Sequence, residues 1–357
     1  MTTQVQPKPL LEDRTFLRHF WHPVCTRDEL ETAHPSGRGP LAVTLLGNRL
    51  AIAKLGGKIV AMDDRCAHRF AALSKGTVVD DTIRCNYHGW RYDSSGKTVH
   101  IPACPELPIP RKAATNTYQC VLKYDLVWVR LDSSWDCTEV PYFSDWDTPD
   151  MRNVVVPSYG WNTAAERRWE NFTDLSHFAF VHPGTLYDPA YDRPPIPTVD
   201  RVDGELRFAI KPPPEMIDKL PENAPMGTFT YRCTMPFSIN LKLELYKDSS
   251  AFTLWTTSCP VDDTHCRNFL IISRAQKDND PDHVHTAFQK VVLQEDQPII
   301  ESQFPAEISA EEVSLPTDKV SNQYRKWLRE LSIAATEGKE AFVRTLKTGV
   351  RDEPIKA

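Results

Sequence analysis

Two short segments, each with one cysteine and one histidine, constrain this chain more than any other feature. The first holds Cys66 and His68, and the second holds Cys85 and His88. Each segment directly follows a run of β-forming residues, so each is expected at a turn where a strand ends. Two facing turns would bring two thiols and two imidazoles together, and the fold must then hold two hairpin ends at one place.

Two kinds of metal site use two cysteines and two histidines. In most structural zinc sites each arm supplies two like ligands, as in Cys-x₂₋₄-Cys or His-x₃₋₅-His. Here each arm supplies one of each, which suits a [2Fe–2S] cluster of the Rieske type, where thiolates hold one iron and imidazoles the other. The spacing favours the cluster and leaves zinc as the alternative. Imidazole ligation raises the reduction potential, so the cluster would pass electrons to something oxidising.

A second group of polar residues stands in a segment of helical composition. Asn171, Asp174 and His177 recur at three-residue steps, which predicts one shared helix face. His182 follows His177 by five residues, about 140° away on a regular helix. Both imidazoles can bind one ion only if the helix is distorted, by a π-type turn or by an early end at Val181. We therefore expect such a distortion.

Two histidines and one carboxylate form the facial triad of non-haem Fe(II) oxygenases. A later predicted helix offers Glu295, Asp296 and Glu301 as the carboxylate. Gln289, Leu293 and Asp296 follow an i, i+4, i+7 pattern and share a face, and Glu295 points off it. The pattern favours Asp296 over Glu301.

The order of the predicted elements indicates an α+β fold. Short β runs with turn signals predict an antiparallel barrel or sandwich in the first part of the chain. In the second part strands precede helices without βαβ alternation, which predicts an antiparallel sheet with helices on one face. The predicted domains are 15–140 and 141–357, and the main predicted helices are 162–182, 281–303 and 317–347.

Composition excludes several classes of protein. The formal charge of −6 argues against a nucleic-acid binder. The N-terminus lacks the apolar stretch of a signal peptide, and no run of eighteen apolar residues could span a membrane, so we expect a cytoplasmic protein. Nine irregularly spaced cysteines are expected to be free thiols or metal ligands rather than a disulfide framework.

The chain also lacks the sequence signals of a self-sufficient oxidoreductase. It has no Gly-x-Gly-x-x-Gly between a strand and a helix, and no second cysteine set of the plant-type cluster. NADH is therefore expected to act only through a separate reductase.

Taken together, these motifs resemble the catalytic subunit of Rieske non-haem iron oxygenases. The resemblance rests on C-x-H…C-x₂-H, then N-x₂-D-x₂-H-x₄-H, then a late acidic residue, and it covers nearly the whole chain. More narrowly, the segments LRHFWHPVC, DRCAHR, AERRWENFTD, SHFAF, IESQ and QYRKWLREL resemble the bacterial methylxanthine N-demethylases that act on caffeine and theobromine.

The resemblance implies two iron centres. Its [2Fe–2S] cluster would be held by Cys66, His68, Cys85 and His88. Its mononuclear Fe(II) would be held by His177, His182 and Asp296, since EDQPIIESQ matches the family segment that contains the acidic ligand. The catalytic domain would be of the helix-grip type.

The family also implies an assembly and partners. It forms head-to-tail trimers, in which the cluster of one subunit lies against the iron of its neighbour and Asp174 bridges them. We expect a homotrimer, or a hetero-oligomer with a related subunit, that works with a separate NAD(P)H-dependent reductase, O₂ and a purine alkaloid.

The expected reaction is removal of an N-methyl group, at N3, with release of formaldehyde, as in theobromine to 7-methylxanthine. The segment AFQKVVLQED is more similar to the N3-demethylating members, because Gln289 and Leu293 stand where the N1 type carries Asn and Phe. Phe172 and Phe178 are candidates to sandwich the purine ring. Phe70 is a departure, since these relatives usually carry a small Ser there.

Three alternatives remain at this point. One is N1-demethylation of caffeine. Another is ring hydroxylation or O-demethylation of an aromatic acid, which would call for a cation in the pocket; Arg167 and Arg168 are near, but we expect them to have structural roles. The third is an electron-transfer or zinc protein that uses residues 1–140 alone, and the second group of polar residues, around His177 and His182, argues against it.

Overall fold

The structure is a computed structural model, and its described part divides into two compact units. The small unit is Arg18–Asp136 with Cys259–Asp262, and the large unit is Met1–Leu17, Cys137–Ser258 and Asp263–Ala357. The domain bounds 15–140 and 141–357 stay a prediction. The residues that the structure describes are 7–33, 39–136, 138–186, 192–202, 204–211, 227–245, 251–276 and 279–339.

The small unit is built on two antiparallel sheets. One has six strands in the order β1-β10-β9-β4-β3-β2, and the other has four in the order β5-β6-β7-β8. The strands are β1 His22–Thr26, β2 Leu41–Leu45, β3 Asn48–Leu55, β4 Lys58–Asp63, β5 Thr77–Val79, β6 Thr82–Arg84, β7 Arg91–Tyr92, β8 Thr98–His100, β9 Thr117–Lys123 and β10 Leu126–Arg130.

A helix cap and a tight hairpin turn define the local structure at the start of this unit. Helix α1, Arg27–Thr32, begins with a capping box: Glu29 N donates to Thr26 Oγ1 (3.0 Å), and Thr26 N donates to the Glu29 carboxylate (2.9 Å). The β2–β3 turn lies between Leu45 and Asn48. Its positive-φ residues are Leu46 and Gly47, at 49° and 71°.

The apolar core of the small unit reaches both metal-binding segments. Residues of β3, β4 and β6 pack with Tyr92, and Cys66 and Cys85 belong to the same cluster. The two cysteine segments therefore leave the sheets at one end of a rigid core. Buried members of the cluster are Ala51, Ala53, Leu55, Val60, Met62, Cys66, Leu73, Ile83, Cys85 and Tyr92.

The large unit is built on one antiparallel sheet in the order β11-β18-β17-β16-β15-β14-β13, with β12 paired to β18. Its strands are β11 Met151–Val155, β12 Tyr159–Trp161, β13 Asp200–Val202, β14 Glu205–Ile210, β15 Gly227–Thr234, β16 Ser238–Leu245, β17 Ala251–Pro260 and β18 Cys266–Ala275. Its helices are α2 Ala165–Thr173, α3 Phe178–Val181, α4 Asp282–Ile300 and α5 Lys319–Thr336. The large unit also has a short 3₁₀ segment at Pro316–Asp318, the small unit has one at Leu73–Lys75, and a third, Thr15–His19, lies where the chain passes from the large unit to the small one.

Aromatic packing ties the helices to this sheet. Trp169 of α2 stacks on Tyr324 of α5 with ring centroids 3.8 Å apart, and both are buried. The Tyr324 hydroxyl donates to the carbonyl of Pro236, between β15 and β16 (3.0 Å). The predicted α+β class, with antiparallel sheets in both parts and helices on the second, is confirmed. Among the described helices, none has the length and apolar composition that a bilayer span requires.

The predicted helix 162–182 is wrong as one helix, but its expected end is confirmed. Helix α2 ends at Thr173, and Asp174 is extended (φ −89°, ψ 137°). A separate turn, α3, ends at Val181, and His182 is non-helical (φ −118°, ψ 44°). The Asp174 carboxylate accepts from Ser176 N (2.8 Å), a local bond that competes with helix continuation.

The other two predicted helices agree better with the structure. The helix predicted at 281–303 is α4. The one predicted at 317–347 is α5, which ends at Thr336, and residues 340–347 lie outside the described part.

Candidate metal centres

The two cysteine–histidine segments form matched turns. Phe70 N donates to Cys66 O and Gly89 N donates to Cys85 O, both at 2.9 Å and both four residues on. The closing residues have positive φ, 60° for Phe70 and 73° for Gly89. Glycine adopts this conformation freely, whereas it is rare for a bulky residue. Both cysteines therefore open the same kind of turn, and the histidine follows two residues later in the first and three residues later in the second.

The four side chains form a thiol pair and an imidazole pair. The Cys85 and Cys66 thiols are both buried in one apolar cluster, and burial followed by the neighbouring Cys66 raises the pKa of Cys85. The Nδ1 atoms of His68 and His88 are 3.1 Å apart, on the exposed side. Two nitrogens bound to one metal ion at about 2.1 Å each lie roughly 3.4 Å apart at a tetrahedral angle. The imidazole pair thus has the spacing of two ligands on one metal.

This arrangement fits a two-iron cluster better than a single zinc. One zinc needs all four ligand atoms around one point. In the part of the chain that the structure describes, the group whose ligand atoms all lie within 4.8 Å of one another is His177, His182 and Asp296, and the cysteine–histidine quartet is not such a group. Thiols paired with thiols and imidazoles paired with imidazoles match the division of ligands in a Rieske cluster.

Tyr92 supports the thiol end of this quartet. Its hydroxyl lies 3.1 Å from Cys66 Sγ and accepts a hydrogen bond from Ala67 N (2.9 Å). Burial, and then the contact with Cys66, raises the pKa of Tyr92 above its usual value. Tyr92 therefore stays protonated and can donate its proton to the sulfur.

Phe70 does not pack into the cluster side of the turn. Its ring is 66% exposed, and the guanidinium of Arg65 lies over it, 4.8 Å from the centroid. The bulky ring at this position therefore stands at the surface of the turn and is not part of the buried cluster that contains the thiols.

The second candidate centre combines residues at the two ends of the short helix α3 with a residue of the long helix α4. His177 precedes α3, His182 follows it, and Asp296 comes from α4. Asp296 Oδ1 is 3.3 Å from His177 Nε2 and 3.1 Å from His182 Nε2. His182 Nε2 is buried and has no hydrogen-bond partner of acceptable geometry. An unsatisfied nitrogen beside a second imidazole and a carboxylate is a donor set that fits Fe(II).

Electrostatics at this centre favour a bound cation. Burial raises the pKa of Asp296, but its close contacts with His177 and His182 outweigh burial and hold this pKa well below its usual range. Burial lowers the pKa of His177, but Asp174 and Asp296 together raise it to about 9. The site therefore attracts either protons or a metal ion, and metal binding must displace a proton from His177.

Three further side chains orient these candidate ligands. Asn171 Nδ2 donates to Asp296 Oδ1 (3.0 Å), Asp174 Oδ2 lies 3.2 Å from His177 Nδ1, and Glu295 Oε2 lies 2.7 Å from His182 Nδ1. Asn171, Asp174 and His177 do converge, but across a helix break, so the predicted shared face is wrong. The contact of Glu295 with His182 was missed, because helical periodicity places Glu295 off the face of Asp296. Its position next to Asp296 was the available signal.

The competing carboxylate and the nearby arginines have other partners. Glu301 accepts from Asn162 N (2.8 Å) and Gln297 Nε2 (2.8 Å), away from the histidines. Arg167 donates to the carbonyls of Pro305, Ala306 and Glu307 and to Glu312. Arg168 donates to Tyr159 Oη (2.9 Å) and lies over two aromatic rings. The structural roles expected for both arginines are confirmed.

The predicted substrate-binding residues lie on two elements. On α4, Gln289 is buried and Leu293 half-buried. Phe178 packs edge-on against His177 and His182, with centroids 4.9 and 5.8 Å away. Phe172 lies under the Arg168 guanidinium at 4.9 Å. The two phenylalanines thus contact different partners, and their sandwich of a purine stays a prediction.

A cavity of about 280 Å³ opens beside Asp174 and His177. Its walls carry two arginine–glutamate pairs: Arg325 with Glu170 (2.5 and 2.7 Å) and Arg167 with Glu312 (2.8 Å). Neutral flat ligands prefer largely apolar pockets. The charged cavity is therefore a poor purine site, and Gln289 and Leu293 do not line it.

Comparison with protein families identifies both parts of the chain. Residues 20–118 match the Rieske [2Fe-2S] domain, and residues 161–334 match the vanillate O-demethylase oxygenase C-terminal domain.

Comparison with individual proteins gives similarity over almost the full length. The chain is 60% identical to methylxanthine N3-demethylase NdmB of Pseudomonas putida, over 98% of this chain and 99% of the relative. It is 55% identical to methylxanthine N1-demethylase NdmA of the same species, over 93% of each. The solved structure of Pseudomonas putida CBB5 NdmA with caffeine superimposes with a TM-score of 0.89 at 52% identity, covering 95% of this chain and 99% of that one.

Replacement of Tyr92 by phenylalanine should lower the reduction potential of a bound cluster. The hydroxyl stabilises the extra negative charge on sulfur in the reduced state, so its loss favours oxidation. We expect a shift on the order of 50 mV, since a one-electron couple changes by about 59 mV for each tenfold change in equilibrium constant. Redox titration followed by visible absorption measures it.

Tyr118→Phe is the matched control for this measurement. Tyr118 donates to Asp63 Oδ1 (2.6 Å) in the same unit, not to a sulfur. An equal shift in both variants would contradict a specific role for the Tyr92 hydroxyl.

Proposed function

Because this chain belongs to the Rieske non-haem iron oxygenases, within the family of the methylxanthine N-demethylases, we propose that it removes an N-methyl group from a methylxanthine. The favoured position is N3, as in theobromine to 7-methylxanthine. One observation carries the proposal: 60% identity over 98% of the chain to a methylxanthine N3-demethylase.

The ligand assignments are part of this proposal. Cys66, His68, Cys85 and His88 would hold the [2Fe–2S] cluster, which the separate thiol and imidazole pairs support. His177, His182 and Asp296 would hold the mononuclear iron, which the convergence of their ligand atoms within 4.8 Å supports.

The reaction needs O₂, two electrons and two protons. One oxygen atom enters the methyl C–H bond and the other leaves as water; the hydroxymethyl product then loses formaldehyde and leaves an N–H. When bound, the iron centres supply electron delivery and O₂ activation. The chain's own residues hold the ligands in place, bind the purine and limit water at the reacting carbon. Electrons come from NADH through a separate reductase, as in the family.

Asp174 is proposed to connect two subunits. Its Oδ2 already bonds His177 Nδ1 (3.2 Å), and its side chain is one-third exposed. A neighbour's His68 or His88 could reach that exposed side. Val313 and Ile299, at 88% and 51% exposure, line the cavity beside Asp174 and offer apolar area for such a contact. We therefore infer a head-to-tail homotrimer, with a hetero-oligomer of related subunits as the alternative.

Substrate position is assigned to the buried face of α4. Gln289 has the amide donors and acceptor to bind a purine heteroatom. Leu293, one turn later, would limit the space beside the ring. Both residues share the α4 face with Asp296, so a ring held by them would lie near the metal ligands.

A second candidate reaction is aromatic O-demethylation. This reaction is favoured by the match of residues 161–334 to the C-terminal domain of vanillate O-demethylase oxygenase. An aromatic acid would need a cation near the iron, and Arg167, Arg168 and Arg325 all have partners in the described structure. This favours the neutral methylxanthine.

The proposal is tested by a product assay with a Rieske reductase and NADH. Theobromine, caffeine, theophylline and vanillate are offered separately, and products and formaldehyde are measured. We expect theobromine to give 7-methylxanthine with one formaldehyde per methyl group. Turnover of vanillate without any methylxanthine turnover would overturn the proposal in favour of O-demethylation, and preferential loss of the N1 methyl of caffeine would overturn the N3 assignment.

Asp174→Ala should stop turnover while both metals remain bound. At saturating iron we expect turnover to fall by more than about 100-fold, beyond the 10–100-fold typical of a residue that only orients a ligand. The reductase should still reduce the cluster, as followed by visible absorption. Asp147→Ala, an exposed carboxylate of the same unit, is the control. Normal turnover by Asp174→Ala trimers would exclude the bridge.

The double replacement Gln289→Asn with Leu293→Phe should shift the product ratio from N3 towards N1. The shorter amide and larger ring would turn the purine relative to the iron ligands. Chromatography of the caffeine products measures the ratio. Gln294→Asn makes the same amide change on the exposed side of α4 and should leave it unchanged. An unaltered ratio in the double variant would place regioselectivity in other residues.

A further inference from the structure

Glu295 makes the shortest contact to either candidate iron histidine. Its Oε2 lies 2.7 Å from His182 Nδ1, and its Oε1 accepts from Thr185 Oγ1 at 2.7 Å. The His182 ring is fully buried, while the Glu295 side chain is 29% exposed. One carboxylate therefore holds two residues of the segment that follows α3.

This contact joins the two elements that carry the metal ligands. Glu295 and its neighbour Asp296 both lie on α4, whereas His182 and Thr185 follow α3. His182 is the C-cap of α3: its N–H donates to Phe178 O (3.1 Å) and its own backbone is non-helical, so α3 anchors its main chain but does not orient its ring. The contacts of the Glu295 carboxylate fix the distance between His182 and α4, the helix that also supplies Asp296.

The contact also determines which nitrogen of His182 is free to bind a metal. A carboxylate accepts hydrogen bonds but cannot donate them, so Nδ1 must carry the proton. Nε2 is then left with a lone pair, and this atom is buried, unpartnered and 3.1 Å from Asp296 Oδ1. A carboxylate behind a ligating histidine fixes the tautomer and ring orientation and makes the nitrogen more basic.

We propose that Glu295 is a positioning residue that presents His182 Nε2 to the mononuclear iron. The inference rests on the proposed function, because it takes His182 as an iron ligand. It gives the centre two carboxylate–histidine pairs, Asp174–His177 and Glu295–His182. Only the Asp174–His177 pair is proposed to carry electrons. A change at Glu295 should therefore affect Fe(II) binding without affecting electron delivery from the [2Fe–2S] cluster.

The test measures Fe(II) affinity on the assembled protein. The mononuclear iron is removed with a chelator while the visible spectrum reports an intact cluster, and Fe(II) is returned in competition with the chelator. We expect Glu295→Ala to weaken Fe(II) binding by about 10–100-fold. Glu295→Gln keeps the size and an acceptor but loses the charge, so it should fall between the wild type and Glu295→Ala.

Two further measurements separate positioning from a general loss of structure. The thermal unfolding midpoint of the protein lacking mononuclear iron should be unchanged in Glu295→Gln. At saturating iron, kcat should fall while KM for the purine stays constant, because Glu295 is not assigned to the substrate. The matched control is Glu301→Gln on the end of the same helix, whose carboxylate bonds Asn162 and Gln297 and should leave Fe(II) affinity within about twofold.

His182→Ala distinguishes failure of this inference from failure of the proposed centre. If His182→Ala loses Fe(II) binding but both Glu295 variants bind as tightly as the wild type, the positioning role is overturned and the centre stands. If His182→Ala also binds normally, the assignment of the centre itself is wrong. Equal weakening by Glu295→Gln and Glu301→Gln would likewise overturn a specific role for Glu295.

Discussion

Carboxylates placed behind imidazoles are the interactions on which the candidate iron centre depends. Asp174 holds His177 and Glu295 holds His182, each through Nδ1, so both Nε2 atoms face Asp296. Without these partners each ring could present either nitrogen, and three ligand atoms would rarely converge. Several charged groups are buried at this site. Their burial is tolerated because each has a partner, and a bound cation would neutralise the charge of the carboxylates.

The break between α2 and α3 makes this convergence possible. A continuous helix would place His177 and His182 about 140° apart. The extended conformation of Asp174, held by its own bond to Ser176 N, ends the helix and brings its carboxylate back to His177. The same residue thus interrupts the backbone and orients the ligand. Asn171, still on α2, reaches Asp296 from the other side of the break.

The small unit buries its two thiols and leaves its two imidazoles near the surface. Thiolates need shelter from water and from oxidation, and both cysteines belong to the buried core with the Tyr92 hydroxyl beside one of them. The imidazoles lie on the exposed side, where electrons can enter or leave over a short distance. Phe70 and Tyr87, exposed at 66% and 64%, place two aromatic rings on this edge beside the Arg65 guanidinium.

Local chemistry in the sequence was sufficient to predict the α+β class, the turns that carry Cys66 and Cys85, and the α4 face that Asp296 shares with Gln289. These follow from interactions within a few residues, or from a period that one element displays by itself. The sequence predicted a distortion of this helix, as a π-type turn or an early end at Val181, but not the break at Asp174, since a side-chain bond to the backbone competes with helix formation by a small margin. Glu295 shows the limit: on α4 it lies off the face of Asp296, and only the packing of the segment after α3 against that helix brings His182 and Thr185 to its carboxylate. Residues 113 positions apart in the chain share no local pattern, so their contact was decided by tertiary structure alone.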